Sequence, residues 1–141
     1  MKPERRVVHP LEARQAIEDR LEGAAQLEPR DVGAHAEMRA DPERDLCRLA
    51  VDGLQAPALR IAPASALKVG QRVYAVGTPK GLARTLSEGI ISSLRPRARS
   101  FVIQTTAPMS RGSSGGGLFD EEARLVGVAA FQYTRGQNLN F

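Results

Sequence analysis

The stretch Arg111–Leu118, RGSSGGGL, is the most informative in the chain. A Gly–X–Ser–Gly–Gly run leading into an apolar pair is what a serine nucleophile loop requires. Glycine admits backbone angles closed to other residues, so the chain can turn sharply and aim several N–H groups at one point. Beside a hydroxyl, such donors hold the oxyanion that forms when the hydroxyl attacks a carbonyl. Ser114 is the candidate nucleophile, and the N–H groups of Gly112 and Ser114 are the candidate oxyanion donors. A Gly/Ser run is also what a flexible linker looks like. This one lies between strand-like segments rather than at a domain edge, which favours the loop.

On either side of it the hydrophobic pattern has a short period. Val73–Gly77, Ser87–Leu94, Phe101–Thr106 and Leu125–Phe131 are rich in β-branched residues and bounded by Gly, Pro or Ser, the marks of strands. Leu118–Phe119 and Leu139–Phe141 are shorter candidates. Arg95–Ser100 and Asp120–Arg124 read as tight connections. Gly53–Pro63, with two prolines, reads as an extended connector. Short strands with turn signals between them predict a barrel or sandwich. Only residues 10–28 break the pattern, where Leu11, Ile17, Leu21 and an alanine share one helical face.

Upstream of the strands lies Asp41–Val51, DPERDLCRLAV. An aspartate entering an apolar strand can be buried against a histidine, fixing its tautomer and stabilising its imidazolium. Asp45 immediately precedes the apolar run and is the candidate acid, whereas Asp41 precedes a proline and reads as a turn residue. Leu46–Val51 is expected to be a buried strand, with Cys47 packed inside it as a small inert hydrophobe.

The chain has 141 residues, 42% of them hydrophobic and only 4% aromatic, so any core is built from Val, Ile, Leu and Ala. Net charge is +4, with mixed signs along the chain. The arginines of Leu94–Arg99 lack the interleaved aromatics of a nucleic-acid site and read as a solvated hairpin tip. A single cysteine excludes an intramolecular disulfide. One cysteine and two scattered histidines make no zinc set, and no metal or other cofactor is expected. No run approaches the length of a membrane helix or a signal peptide. As written, the chain is expected in the cytoplasm, or in the periplasm or outside the cell if an exported N-terminus precedes it.

Together DLCRLAV, VGQRVYAVGTPKGLARTLSEGIISSLR, IQTTAPMSRGSSGGGLFD, RLVGVAAFQ and QNLNF resemble the bacterial trypsin-like peptidases related to the HtrA (Deg) proteases, over about residues 41–141. The resemblance implies an all-β, chymotrypsin-like double Greek-key β-barrel. Residues 1–65 would form a partial first barrel with a divergent, partly helical N-terminal segment. Residues 66–141 would form a nearly complete second barrel that carries the nucleophile loop. It also implies a serine endopeptidase working through a His–Asp–Ser triad and an acyl-enzyme, on a peptide or unfolded protein. Asp45 would orient the base, Ser114 would attack, and Gly112, Ser113 and Ser114 would form the oxyanion loop. Ala129, Ala130, Phe131 and Gln132 would pair with an extended substrate. Thr105–Arg111 would wall the primary specificity pocket, and its lack of acidic residues suits a small or medium apolar side chain. Ser113 stands where zymogen-activated relatives carry an aspartate that pairs with a freed N-terminus, so that activation route is not expected.

The chain departs from the family at its base. His9, 36 residues before Asp45, is the candidate, whereas His35, only 10 residues before, is read as a strand residue. Around His9, Pro10 replaces the family's apolar residue, a helical pattern follows, and too few residues precede it for the usual strands. The chain reads as truncated at both ends. Weak or absent turnover is therefore expected, and the competing reading is a non-catalytic, protease-like peptide-binding module.

Overall fold

The computed structural model describes residues 12, 15–17, 37–42, 46–50, 58–77, 85–97, 100–110 and 112–130. The chain divides into two compact units, one comprising 1–17 with 59–141 and the other 18–58. Apart from the residues at 12 and 15–17 and a 3-10 turn at Ala64–Ala66, the described secondary structure is β.

In the smaller unit, β1 (Glu37–Asp41) pairs antiparallel with β2 (Leu46–Ala50), Asp41 opposite Leu46. The strand expected from Leu46 is therefore present. A strand was expected next to His35 without bounds; β1 begins two residues after it, and Asp41 ends the strand rather than belonging to the turn. Cys47 corrects its expectation, because it is exposed. Leu46 and Arg48 beside it are exposed as well. The short mixed run forms half of a two-stranded ribbon, and apolar content alone does not bury a strand that has one neighbour. Asp45, His9 and His35 lie outside the described residues, as does most of the 10–28 segment. Of that segment, Glu12 and Gln15–Ile17 are helical and Ile17 is buried.

The larger unit is a curled antiparallel sheet, a half-barrel. It contains β3 (Arg72–Gly77), β4 (Thr85–Arg97), β5 (Ser100–Thr105), β6 (Gly117–Phe119) and β7 (Leu125–Val128), in the spatial order β5-β4-β3-β6-β7. The core strand β3 has neighbours on both sides. Val73 and Ala75 point to the face that also carries Ile91 and Leu118, and these join Ala62, Leu67 and Ala107 in the core. Tyr74 faces the other way, directly opposite Phe119, and both are buried. Residues 60–62 run alongside β7, where Leu125 N–H donates to Arg60 and Ala62 N–H donates back to Leu125.

β4 is longer than its pattern suggested. It runs through Pro96, which pairs with Phe101. Beyond Ile91 the strand is paired to β5 and not to β3, and proline is tolerated where one edge of a strand asks for no hydrogen bond.

The β6–β7 turn is tied by a carboxylate. Asp120 is fully buried. Its Oδ1 accepts from the N–H groups of Glu122 (3.1 Å) and Arg124 (2.8 Å), and its Oδ2 accepts from Arg124 Nε (2.8 Å). The hydrogen bond that Arg124 donates to Asp120 is also the largest influence raising the Arg124 pKa. Ala123 closes the turn at φ 53, a left-handed angle that costs a side-chain residue about 1–2 kcal/mol. The carboxylate's four acceptor contacts, ion pair included, offset that cost.

Asp120→Ala should therefore lower stability by about 2–4 kcal/mol, since it strands two backbone donors and a partly buried guanidinium. Asp120→Asn, which keeps one amide oxygen, should lose roughly half as much; urea unfolding measures both. A second expectation concerns Tyr74. Burial, then the nearby Glu88 carboxylate, raises its phenol above the ordinary value of 10.0. The folded-state pKa exceeds the unfolded one, so the neutral phenol's contribution is complete below pH 10 and is lost as pH rises through the folded value. In a Tyr133→Phe protein, absorbance titration should show Tyr74 ionising above pH 10, and later than in the urea-unfolded chain.

Candidate active site

Two consecutive turns build the loop around Ser114. Ser113 N–H donates to Ser110 C=O (3.0 Å), and Gly116 N–H donates to Ser113 C=O (2.9 Å). The third residue of each turn is a glycine with positive φ, Gly112 at 96° and Gly115 at 84°. A positive φ at the third position of a turn is where glycine sits without strain. Ser113 ends one turn and begins the other. It is buried, and its Oγ also receives Ser110 N–H at 3.4 Å.

The N–H groups of Gly112 and Ser114 donate to no described residue, while the Ser113 N–H is committed to its turn. Two free donors thus flank Ser113, beside the exposed side chain of Ser114. The Ser114 hydroxyl donates to Ala130 C=O at 3.2 Å. Ala129 ties the loop to the strand after β7, its N–H to Gly116 C=O and its C=O from Gly115 N–H, both at 2.8 Å. Ser114, Gly112, Ser113, Ala129 and Ala130 are therefore brought together. Phe131 and Gln132 lie outside the described residues, as do Asp45 and His9.

The segment before the loop is anchored on β4. Thr105 Oγ1 donates to Ile90 C=O (2.9 Å), Thr106 Oγ1 accepts Ile90 N–H (3.0 Å), and Ser87 Oγ donates to Pro108 C=O (2.6 Å). Met109 packs against the core from this wall. Sequence reading missed the anchoring by Ser87, since a serine within a strand pattern gives no sign of a partner 21 residues away. It also missed the contact beneath the loop. A Cβ on Gly116 would lie 2.0 Å from Val76 O, so the loop rests on the β3 backbone.

The trypsin-like peptidase domain matches residues 5–128 of this chain. The chain belongs to that family. A probable periplasmic serine endoprotease, DegP-like, from Pseudomonas fluorescens is 34% identical over 120 residues, covering 82% of this chain and 24% of the relative. Among solved structures, the HtrA-type protease AlgW with a decapeptide superposes with a TM-score of 0.69 at 30% identity, over 75% of this chain and 35% of that one. The serine endoprotease from Yersinia pestis gives 0.66 at 29% identity, over 75% of this chain and 38% of that one. The fold is that of the chymotrypsin-like HtrA proteases. The chain spans about a quarter of the length of the curated relatives it matches. Among the described residues, no group of acidic, histidine or cysteine side chains is disposed to hold a metal ion, and no helix is long and apolar enough to cross a membrane.

Gly115 and Gly116 separate two demands on the trypsin-like loop. Gly115 has a positive φ and open space around it, while Gly116 has no positive φ and no space. Gly115→Ala should cost about 1–2 kcal/mol for the left-handed angle. Gly116→Ala should cost about 3 kcal/mol or more, because two backbones must part. Urea unfolding of the two variants checks the order.

Proposed function

We propose that the chain is a serine endopeptidase unit in which Ser114 is the nucleophile. The observation that supports this is the pair of free N–H groups on Gly112 and Ser114, flanking the turn pivot beside an exposed hydroxyl. Ser114 Oγ attacks the peptide carbonyl carbon and its proton passes to His9, which Asp45 orients. The developing oxyanion accepts hydrogen bonds from Gly112 and Ser114, while Ser113 contributes by fixing the turn. Collapse expels the amine, which takes the proton from His9. The acyl-enzyme on Ser114 is then hydrolysed by water, with His9 again the base.

An extended peptide or unfolded chain would pair with the backbone from Ala129 to Gln132, a strand-addition mode of binding. The wall at Thr105–Arg111 carries Met109 and no acidic residue, which suits a small or medium apolar side chain in the first pocket. We place the activity in the periplasm on the likeness to a relative named as periplasmic; cell fractionation checks this.

A fluorophosphonate probe tests the mechanism directly. Ser114 should be labelled, and Ser114→Ala should abolish the label. His9→Ala should slow labelling by at least about 10²-fold, as general-base catalysis is worth that much or more. Labelling unchanged in His9→Ala would exclude His9 as the base. A folded chain with no label at Ser114 would sink the peptidase reading in favour of a peptide-binding module.

A further inference from the structure

The loop stands on β3, and the residue beneath its pivot is Gly77. A Cβ placed on Gly77 would lie 2.9 Å from Ser113 Oγ and 3.0 Å from both its Cα and Cβ. Its φ is not in the left-handed region, so alanine there is opposed by space and not by backbone angle. Gly77 ends a strand and pairs with Thr85. In a strand, glycine is otherwise the weaker choice, by roughly 0.5–1 kcal/mol against alanine. Sequence reading treats Gly77 as a strand terminator, but the contact gives it a second purpose.

Ser113 is the shared residue of both turns, so its position sets the directions of the N–H groups on either side. Moving Ser113 off β3 swings Gly112 and Ser114 together. We infer that Gly77 is a positioning residue for the oxyanion loop: its missing side chain lets Ser113 seat on β3, and that seat aims the two free N–H groups. The inference rests on the peptidase reading for its catalytic consequence, but the seating itself is independent of it. A Cβ would force Ser113 away by several tenths of an ångström or more. A displacement of about 1 Å in a catalytic constellation can lower rate on the order of 10²-fold, similar to the loss of one oxyanion donor.

The test uses the full chain as wild type, Gly77→Ala, Ser113→Gly and the double variant. Two readouts are taken, amide hydrogen exchange and the rate of fluorophosphonate labelling at Ser114. In Gly77→Ala the Ser113 and Gly116 amides should lose protection, while amides of Tyr74 and Ile91 in the sheet keep theirs. Labelling should slow on the order of 10²-fold. Adding Ser113→Gly removes two of the three atoms that the new methyl meets, the Oγ and the Cβ, and leaves the Cα at 3.0 Å. The double variant should therefore label within about tenfold of Ser113→Gly alone. Gly77→Ala with wild-type protection at Ser113 and wild-type labelling would overturn the inference. A double variant as impaired as Gly77→Ala in both readouts would also overturn it, and this holds even if Gly77→Ala alone fails to fold. If the wild-type chain takes no label, the peptidase reading fails while exchange at Ser113 still decides whether Gly77 seats the loop.

Discussion

Backbone meets backbone where the end of β3 passes under the loop around Ser114, and the geometry there follows from that contact. The Val76 carbonyl lies against the Gly116 backbone, and Gly77 beside it leaves room for the Cα, Cβ and Oγ of Ser113. The Val76–Gly116 contact is stiff, because backbone has no rotamers with which to yield. Interiors at this packing density transmit displacement rather than absorb it. A loop of glycines would otherwise be among the most mobile parts of a chain. Here two hydrogen-bonded turns and a rigid floor remove that freedom while keeping the backbone angles that only glycine permits.

The floor is fixed in turn by the sheet. β3 is central, paired with β4 on one side and β6 on the other, and its Val73 and Tyr74 are almost wholly buried on opposite faces. Burying such side chains contributes about 1.5–3 kcal/mol each, so β3 is costly to displace. The far side of the loop is held by Ala129 through two backbone hydrogen bonds. Ser114 thus hangs between the ends of two strands. The Asp120 turn, at the other end of the β6–β7 ribbon, keeps β6 and β7 in register while a bulge shifts their pairing between Leu118 and Phe119.

How much of this could be read from the sequence depends on how local each cause is. The strands of the larger unit were legible because alternation and turn residues act within a few positions. β7 begins at Leu125 where its pattern put it but ends at Val128, before the expected Phe131, and β6 covers the expected Leu118–Phe119. The full length of β4 was hidden, since Pro96 reads as a stop until it is known that among the described residues the strand there pairs on one edge alone, with β5. The bounds of β1 were hidden, because only Met38 and Ala40 are apolar in Glu37–Asp41 and neither marks where the strand starts or stops. Cys47 was misjudged for the converse reason: its neighbours are apolar, but burial is decided by what packs across from a strand.

The same division runs through the site. The nucleophile loop is a matter of local backbone chemistry, so GSSGG in sequence became two turns and two free N–H groups in space. The candidate acid and base, Asp45 and His9, stand far from it in the chain, and no local pattern encodes a meeting across such a distance. What lay between these extremes was Gly77. Its neighbours in sequence give it the look of a strand end, and its role emerges only when Ser113, thirty-six residues later, is laid over it. A residue can be indispensable to a site for having no atoms to contribute, and such residues carry no chemistry for a sequence motif to record. They become visible by asking what a side chain would strike.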